Sequence, residues 1–385
     1  MTRTLTAAGA AGWLHASGAR LDDLAALVAS STDPAAVPTA AEVQRGVPVY
    51  DAATLVRADR RRVQAELAGA LADGPGIVVV TGALPRAALD RATAVFEELI
   101  AEQRRSGATA GDHFAKPGAN DRIWNALEKF AVRDPAAFAD YYAAEALALV
   151  PEAWLGPGYQ MTSQVNVVNP GGAAQSPHRD YHLGFLPVEV AQRYPAHVHR
   201  LSPALTLQGA VAHCDMPPET GPTMYLPHSQ RFSHGYLVAG DPEFDAFFAR
   251  HHVQLPLRAG DAVFFNPALI HAAGHNRTGD VRRMANLLQV SSAFGRAMES
   301  VDRERMCRAL YPELLRRHAG GADVRAVVAA AAEGYAFPTN LDLDPPAGGL
   351  APPSQADVLG RALAERWTPE GLADALAERA GRKRA

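Results

Sequence analysis

Histidine residues collect in one part of the sequence, and their spacing there indicates a metal site. Eleven of the fourteen histidines lie between His178 and His275, and histidine is the commonest metal ligand in proteins. Within QSPHRDYHLGF, His178 and Asp180 are two residues apart, a spacing that points both side chains of a strand to the same face. One imidazole and one carboxylate are two of the three protein ligands that hold a non-haem Fe(II) ion.

A third ligand and an arginine follow about a hundred residues later. His271 ends the strand-like run DAVFFNPALIH and can supply the second imidazole, while His275 is a possible replacement for it. A His-x-Asp pair alone is common in proteins. Combined with His271, and with Arg282 eleven residues beyond it, the pattern becomes specific for a two-histidine, one-carboxylate iron centre.

The elements that must position these residues are short strands. Between residues 159 and 293 the chain alternates short β-like segments with turn residues and has no long helical pattern, which favours a sandwich or a jelly-roll barrel over a parallel sheet. These segments are MTSQVNVV, ALTLQGAVAHCD, TMYLP, VQLPL, DAVFFN and ANLLQVS.

Helical patterns flank this region on both sides. Apolar residues recur at helical spacing before residue 72 and again after residue 296. A β-branched run at residues 77–80 precedes a long amphipathic segment that opens with Leu84-Pro85. We therefore predict three parts: a helical N-terminal extension over residues 1–72, a β domain over 73–295, and a helical C-terminal extension over 296–385.

Composition excludes several classes of protein. The chain has 385 residues, 48% hydrophobic and 20% charged, with a net charge of -4, which is typical of a globular protein and unfavourable for binding nucleic acid or anionic membranes. No apolar run is long enough for a membrane span. The two cysteines match no metal or redox spacing. We expect a cytoplasmic protein, either a monomer or a homodimer, that acts on a small molecule.

Together these motifs resemble the phytanoyl-CoA dioxygenase-like family of Fe(II)- and 2-oxoglutarate-dependent oxygenases. That family has an H-x-D pair, a distal histidine in a segment like H-G-S-G-x-N, and an arginine eleven residues further on. Here HRD, HAAGHN and Arg282 match in order and spacing. GIVVVTGALP, CDMPPETGPTMYLPHSQR and AGDAVFFNPALIH extend the resemblance over roughly residues 75–295.

The resemblance implies an α+β protein with a double-stranded β-helix core, of the jelly-roll or cupin-like type, flanked by N- and C-terminal helices. It implies Fe(II), 2-oxoglutarate and O2 as cofactor and cosubstrates, with His178, Asp180 and His271 as ligands. Arg282 would bind the distal carboxylate of 2-oxoglutarate, because a guanidinium offers two parallel donors. Arg283 is its competitor, and only one of two adjacent strand residues can point inward. Polar assistance to the cosubstrate would come from Thr223, with Thr162, Gln164 and Asn166 as further candidates.

The implied reaction is hydroxylation, desaturation or ring closure at an unactivated C–H bond of a small metabolite, in a biosynthetic pathway. Two alternatives remain open: a zinc-dependent hydrolase or isomerase on a similar barrel, and a non-catalytic barrel that only binds a ligand. His213 and Asp215 form a second His-x-Asp pair. Their position before the PPETGP turn favours a structural or substrate-side role over a second metal site.

Overall fold

The computed structural model describes residues 12–106, 120–335, 337 and 339–384. Each of the six predicted β-like segments contains a strand. The strands of the described residues are β1 (Glu42–Gln44), β2 (Val47–Asp51), β3 (Ile77–Thr81), β4 (Asn120–Ile123), β5 (Gln160–Val168), β6 (Thr206–Ala212), β7 (Met224–Tyr225), β8 (Val253–Gln254), β9 (Ala262–Phe265), β10 (His271–Ala272) and β11 (Arg283–Ser291).

These strands form two sheets. The major sheet has the order β1-β2-β3-β9-β6-β11-β5-β4, and the minor sheet has the order β10-β7-β8. Within the sheets β2 and β3 pair in parallel, and the other neighbours are antiparallel. One buried apolar cluster contains Val79 and Phe265 from the major sheet and Tyr225 from the minor sheet. The arrangement confirms the predicted α+β class with a jelly-roll core.

Helices pack against the face of the major sheet that points away from the minor sheet. Met284, Leu288 and Val290 of β11 share a large buried cluster with helical residues such as Phe96 and Leu310. The helices of the described residues are α1 (Leu21–Val28), α2 (Ala52–Arg57), α3 (Arg60–Ala72), α4 (Arg86–Arg105), α5 (Ala126–Arg133), α6 (Pro135–Tyr142), α7 (Glu145–Leu155), α8 (Val188–Ala191), α9 (Ala196–Ala204), α10 (Pro242–His251), α11 (Arg303–Ala319), α12 (Arg325–Ala331), α13 (Gln355–Glu365) and α14 (Pro369–Lys383). Among the described residues no helix is both long and apolar enough to cross a bilayer.

The N-terminal region differs from the helical extension that we predicted, whose first eleven residues lie outside the described ranges. Residues 42–51 form a hairpin, β1 and β2, and β2 joins the major sheet beside β3. The hairpin turns at Arg45 and Gly46, both with positive φ, which is the signature of a two-residue turn that matches the twist of paired strands. The sheet therefore begins before residue 73. The three-part division of the chain stays a prediction.

Candidate metal centre

A cavity of about 700 Å³ lies between the two sheets. Arg283, Ala285, Leu287 and Gln289 of β11 line it, while the residues between them pack with the helices on the opposite face. This alternation follows from the two-residue period of a strand. The cavity face of the major sheet therefore carries a polar group at each end of β11.

His178, Asp180 and His271 meet at the wall of this cavity. One ligand atom from each residue lies within 4.8 Å of the other two. Asp180 Oδ1 is 3.7 Å from His178 Nε2, and Asp180 Oδ2 is 3.3 Å from His271 Nε2. The backbones of His178 and His271 form an antiparallel bridge with two N–H···O bonds of 3.0 Å. This bridge joins two segments that are ninety-three residues apart in the sequence.

Backbone carbonyl groups orient both imidazole rings. His178 Nδ1 is 2.8 Å from the carbonyl oxygen of Ser176, and His271 Nδ1 is 2.9 Å from that of Leu269. Because a carbonyl oxygen only accepts, each Nδ1 carries the proton and each Nε2 presents a lone pair towards Asp180. Partners of this kind are typical of metal-ligating histidines. The three side chains therefore fit a divalent transition metal.

The electrostatics of Asp180 and His178 suit metal binding. Burial alone would raise the pKa of Asp180, but its contacts with His271, with His178 and with the Gln208 amide together lower it below its usual range. Burial, followed by the neighbouring His271, lowers the pKa of His178. At neutral pH Asp180 is thus a carboxylate and His178 a neutral imidazole, the protonation states that ligands require.

Arg283, and not Arg282, faces the cavity, so the predicted orientation of Arg282 is wrong. The side chain of Arg282 points to the opposite side of the sheet, where it pairs with Glu97 at 3.0 Å and Asp121 at 3.8 Å. Arg283 is buried and lines the cavity. The strand begins at Arg283 after an irregular connection from His271, and this connection sets which arginine points inward.

Hydrogen bonds hold Arg283 in place and leave part of it available. Its Nη1 donates to the carbonyl oxygens of Thr220 at 3.1 Å and Gly274 at 3.4 Å. Burial lowers the pKa of Arg283 to about 10, so the guanidinium stays cationic at neutral pH. Among the described residues, neither Nε nor Nη2 of Arg283 donates to a protein acceptor. That edge can receive a carboxylate.

The other polar candidates divide between the cavity and the sheet. Thr223, Gln164 and Asn166 line the cavity, and their contact with the cosubstrate stays a prediction. Thr162 does not: its buried hydroxyl donates to the carbonyl oxygen of Gln289 at 3.0 Å. Its hydrogen bond to the neighbouring strand makes it part of the sheet and does not support the predicted contact with the cosubstrate.

His213 and Asp215 form no second metal site. His213 is buried, with Nδ1 2.8 Å from Thr93 Oγ1 and Nε2 3.1 Å from the Tyr141 hydroxyl. Asp215 accepts a bond from the Ala259 amide. Of the residues that the structure describes, the group around Asp180 is the one cluster of three metal-ligating side chains, and His275 lies outside it.

Sequence reasoning missed Gln208, which contacts a proposed ligand directly. Its Nε2 donates to Asp180 Oδ2 at 2.5 Å, and the side chain lines the cavity. The only signal in the sequence is a glutamine inside the otherwise apolar strand segment TLQGAVA. A buried polar residue at such a position needs a partner, but the sequence does not say which.

Comparison with known proteins gives a family and a set of distant structures. A model of the family described as phytanoyl-CoA dioxygenase (PhyH) matches residues 72–284, which is 213 of the 385 residues. No match was found among curated proteins.

Three solved structures illustrate the similarity to known folds. The non-haem α-ketoglutarate-dependent epimerase SnoN from nogalamycin biosynthesis is 20% identical, with 60% of this chain and 84% of that chain covered and a TM-score of 0.40. The corresponding values for AviO1 from Streptomyces viridochromogenes Tue57 are 20%, 58%, 93% and 0.40. For the carbocyclase SnoK from nogalamycin biosynthesis they are 18%, 71%, 93% and 0.44.

Proposed function

The chain belongs to the phytanoyl-CoA dioxygenase (PhyH) family, whose members use Fe(II), 2-oxoglutarate and O2, and we propose that it oxidises an unactivated C–H bond of a small metabolite in a biosynthetic pathway. Hydroxylation is the reaction we favour, with desaturation and ring closure as variants of it. The observation that carries the proposal is the convergence of His178, Asp180 and His271 in one cavity with Arg283.

In this proposal His178 Nε2, Asp180 and His271 Nε2 hold the iron. When bound, Fe(II) and 2-oxoglutarate supply the activation of O2 for attack on a C–H bond. The Ser176 and Leu269 carbonyl groups keep the two rings turned towards the metal position. Phe265 packs edge-on against His271, with 4.8 Å between ring centroids, and shields this ligand from water.

Arg283 takes the place that the sequence reading gave to Arg282. Its Nη1 is occupied by two carbonyl groups, so the Nε and Nη2 edge would receive the distal carboxylate of 2-oxoglutarate. Thr223 lies on the wall of the same cavity and would add a hydroxyl to this subsite. The small side chains Ala212 and Ala285 also line the cavity and take up little of its volume.

An anaerobic titration tests the proposal. Fe(II) and then 2-oxoglutarate are added to the protein, and the visible charge-transfer band of a keto-acid chelate on iron is followed. We expect the band in the wild type, and we expect Arg283→Ala to need at least about 10-fold more 2-oxoglutarate, because a charged hydrogen-bonded pair contributes about 1.5–3 kcal/mol. Arg282→Ala is the matched control, and its titration should follow the wild type.

The other outcomes identify the alternatives. Iron binding without the band would favour a hydrolase or isomerase that needs no 2-oxoglutarate. Failure to bind any divalent metal would favour a barrel that only binds a ligand. If Arg282→Ala weakens 2-oxoglutarate binding while Arg283→Ala does not, the assignment of the carboxylate subsite is wrong.

A further inference from the structure

Two of the three proposed metal ligands are held by the backbone, and the third is held by a side chain. The imidazoles of His178 and His271 are fixed by carbonyl groups. Asp180 has no such support, and the terminal torsion of an aspartate is soft. Among the described residues, the one hydrogen bond to its carboxylate from outside the ligand set comes from Gln208, at 2.5 Å from Oδ2.

The direction of the Gln208 amide is fixed by its neighbours. If the amide were flipped, its oxygen would face the Asp180 carboxylate, and two acceptors would repel each other. In the observed orientation Nε2 also lies 3.5 Å from Gln289 Oε1. Gln208 is only 4% exposed, and its Oε1 is buried without a partner among the described residues. A buried unpaired oxygen is costly, and an apolar side chain would avoid that cost.

A second glutamine and a tyrosine support Gln208 in turn. Gln208 and Gln289 are register partners on the neighbouring strands β6 and β11, so their side chains lie side by side on the cavity face. The Tyr181 hydroxyl donates to Gln289 Oε1. Tyr181 directly follows Asp180 and has a φ of 62°, a conformation that is strained for a bulky residue. The chain of contacts therefore starts and ends at adjacent residues of the metal-binding segment.

We propose that Gln208 is the positioning residue for Asp180: its amide fixes the rotation of the carboxylate towards the metal, and Gln289 with Tyr181 fixes the amide. This inference rests on the proposed function only in that it takes Asp180 as a metal ligand. It predicts that metal affinity and ligand geometry depend on the amide of Gln208, which a merely space-filling residue would not affect.

The test is titration of the whole protein with Co(II), whose visible d–d absorption reports both affinity and coordination geometry. Gln208→Met keeps the length of the side chain but removes the amide, and we expect about 10- to 100-fold weaker Co(II) binding, the usual effect of losing such a partner, together with an altered d–d spectrum. Gln289→Met should cause a smaller change in the same direction. Gln160→Met is the matched control, because Gln160 is a β5 glutamine whose Nε2 donates to the carbonyl groups of Ser292 and Gly295.

Thermal unfolding of each variant without metal separates folding from binding. If Gln208→Met is folded and binds Co(II) with wild-type affinity and spectrum, the inference is overturned. If Gln208→Met does not fold, Gln289→Met decides by the same criterion. A wild type that binds Co(II) but shows no charge-transfer band with Fe(II) and 2-oxoglutarate would refute the proposed function and leave the role of Gln208 to be judged by the Co(II) data.

Discussion

Replacing His213 should change how the stability of the protein depends on pH. Burial lowers the pKa of His213 from 6.5 to about 3, so the folded protein keeps this imidazole neutral at pH values where the unfolded chain protonates it. The unfolded state then binds the extra proton, and the free energy of unfolding falls as the pH falls below about 6.5. Between about pH 7 and pH 5 this one residue should remove about 2 kcal/mol.

The assay is urea unfolding followed by circular dichroism at several pH values between these limits. His213→Gln can keep bonds to Thr93 and Tyr141, which flank the ring, but it has no proton to bind. We expect a lower stability at neutral pH and a loss on acidification that is smaller by about 2 kcal/mol than in the wild type. His197→Gln, at an exposed position on α9, should keep the wild-type slope.

The same variant also distinguishes a structural His213 from a substrate-side one. His213 contacts Phe96 and Tyr141 of the helical layer, so His213→Gln should keep the charge-transfer band with Fe(II) and 2-oxoglutarate. An acid slope equal to that of the wild type would refute the reasoning from burial. A lost band in a folded variant would instead place His213 in the site.

Two further predictions concern the segments around the metal ligands. A Cβ at Gly235 would lie 1.8 Å from Arg179 Cζ, and Arg179 is held there by its hydrogen bonds to the carbonyl groups of Ser229 and Phe232. Gly235→Ala should therefore lower the free energy of unfolding in urea by about 1–3 kcal/mol. It should also weaken Co(II) binding, because Arg179 lies between His178 and Asp180, and an unchanged Co(II) affinity would contradict this. Thr162→Val should lower the free energy of unfolding by about 1 kcal/mol through the lost hydrogen bond to Gln289 and leave the affinity for 2-oxoglutarate unchanged. A lower affinity for 2-oxoglutarate would instead support Thr162 as a cosubstrate contact.

The convergence of His178, Asp180 and His271 could be predicted from the sequence because of their types and spacing. His178 and Asp180 are separated by one residue, and His271 follows the apolar run that contains β9, after a turn. These local features restrict where the three side chains can point. The fold class followed for the same reason, since six short β-like segments with turns between them permit few architectures.

The arginine could not be assigned by counting from His271, because the interval crosses an irregular connection. Within β11 a better signal was present: Met284, Leu288 and Val290 are apolar at even positions, which predicts that the odd positions, including Arg283, face the other side. The role of Gln208 could not be predicted in this way. Its partner Asp180 comes from a distant segment, and only the folded sheet brings the two together.

Neighbouring residues of β11 point to opposite faces of the sheet and therefore have different roles. Odd positions line the cavity, and the apolar even positions belong to the large cluster shared with the helices. The helical layer therefore packs against the same strand that carries Arg283 and Gln289. Leu288→Ala should lower the stability of the protein and leave metal binding by the folded molecule unchanged. A substitution of the adjacent Gln289 should instead affect Gln208 and, through it, Asp180. Residues of β11 that are adjacent in sequence are thus separate in function, because the sheet itself stands between their side chains.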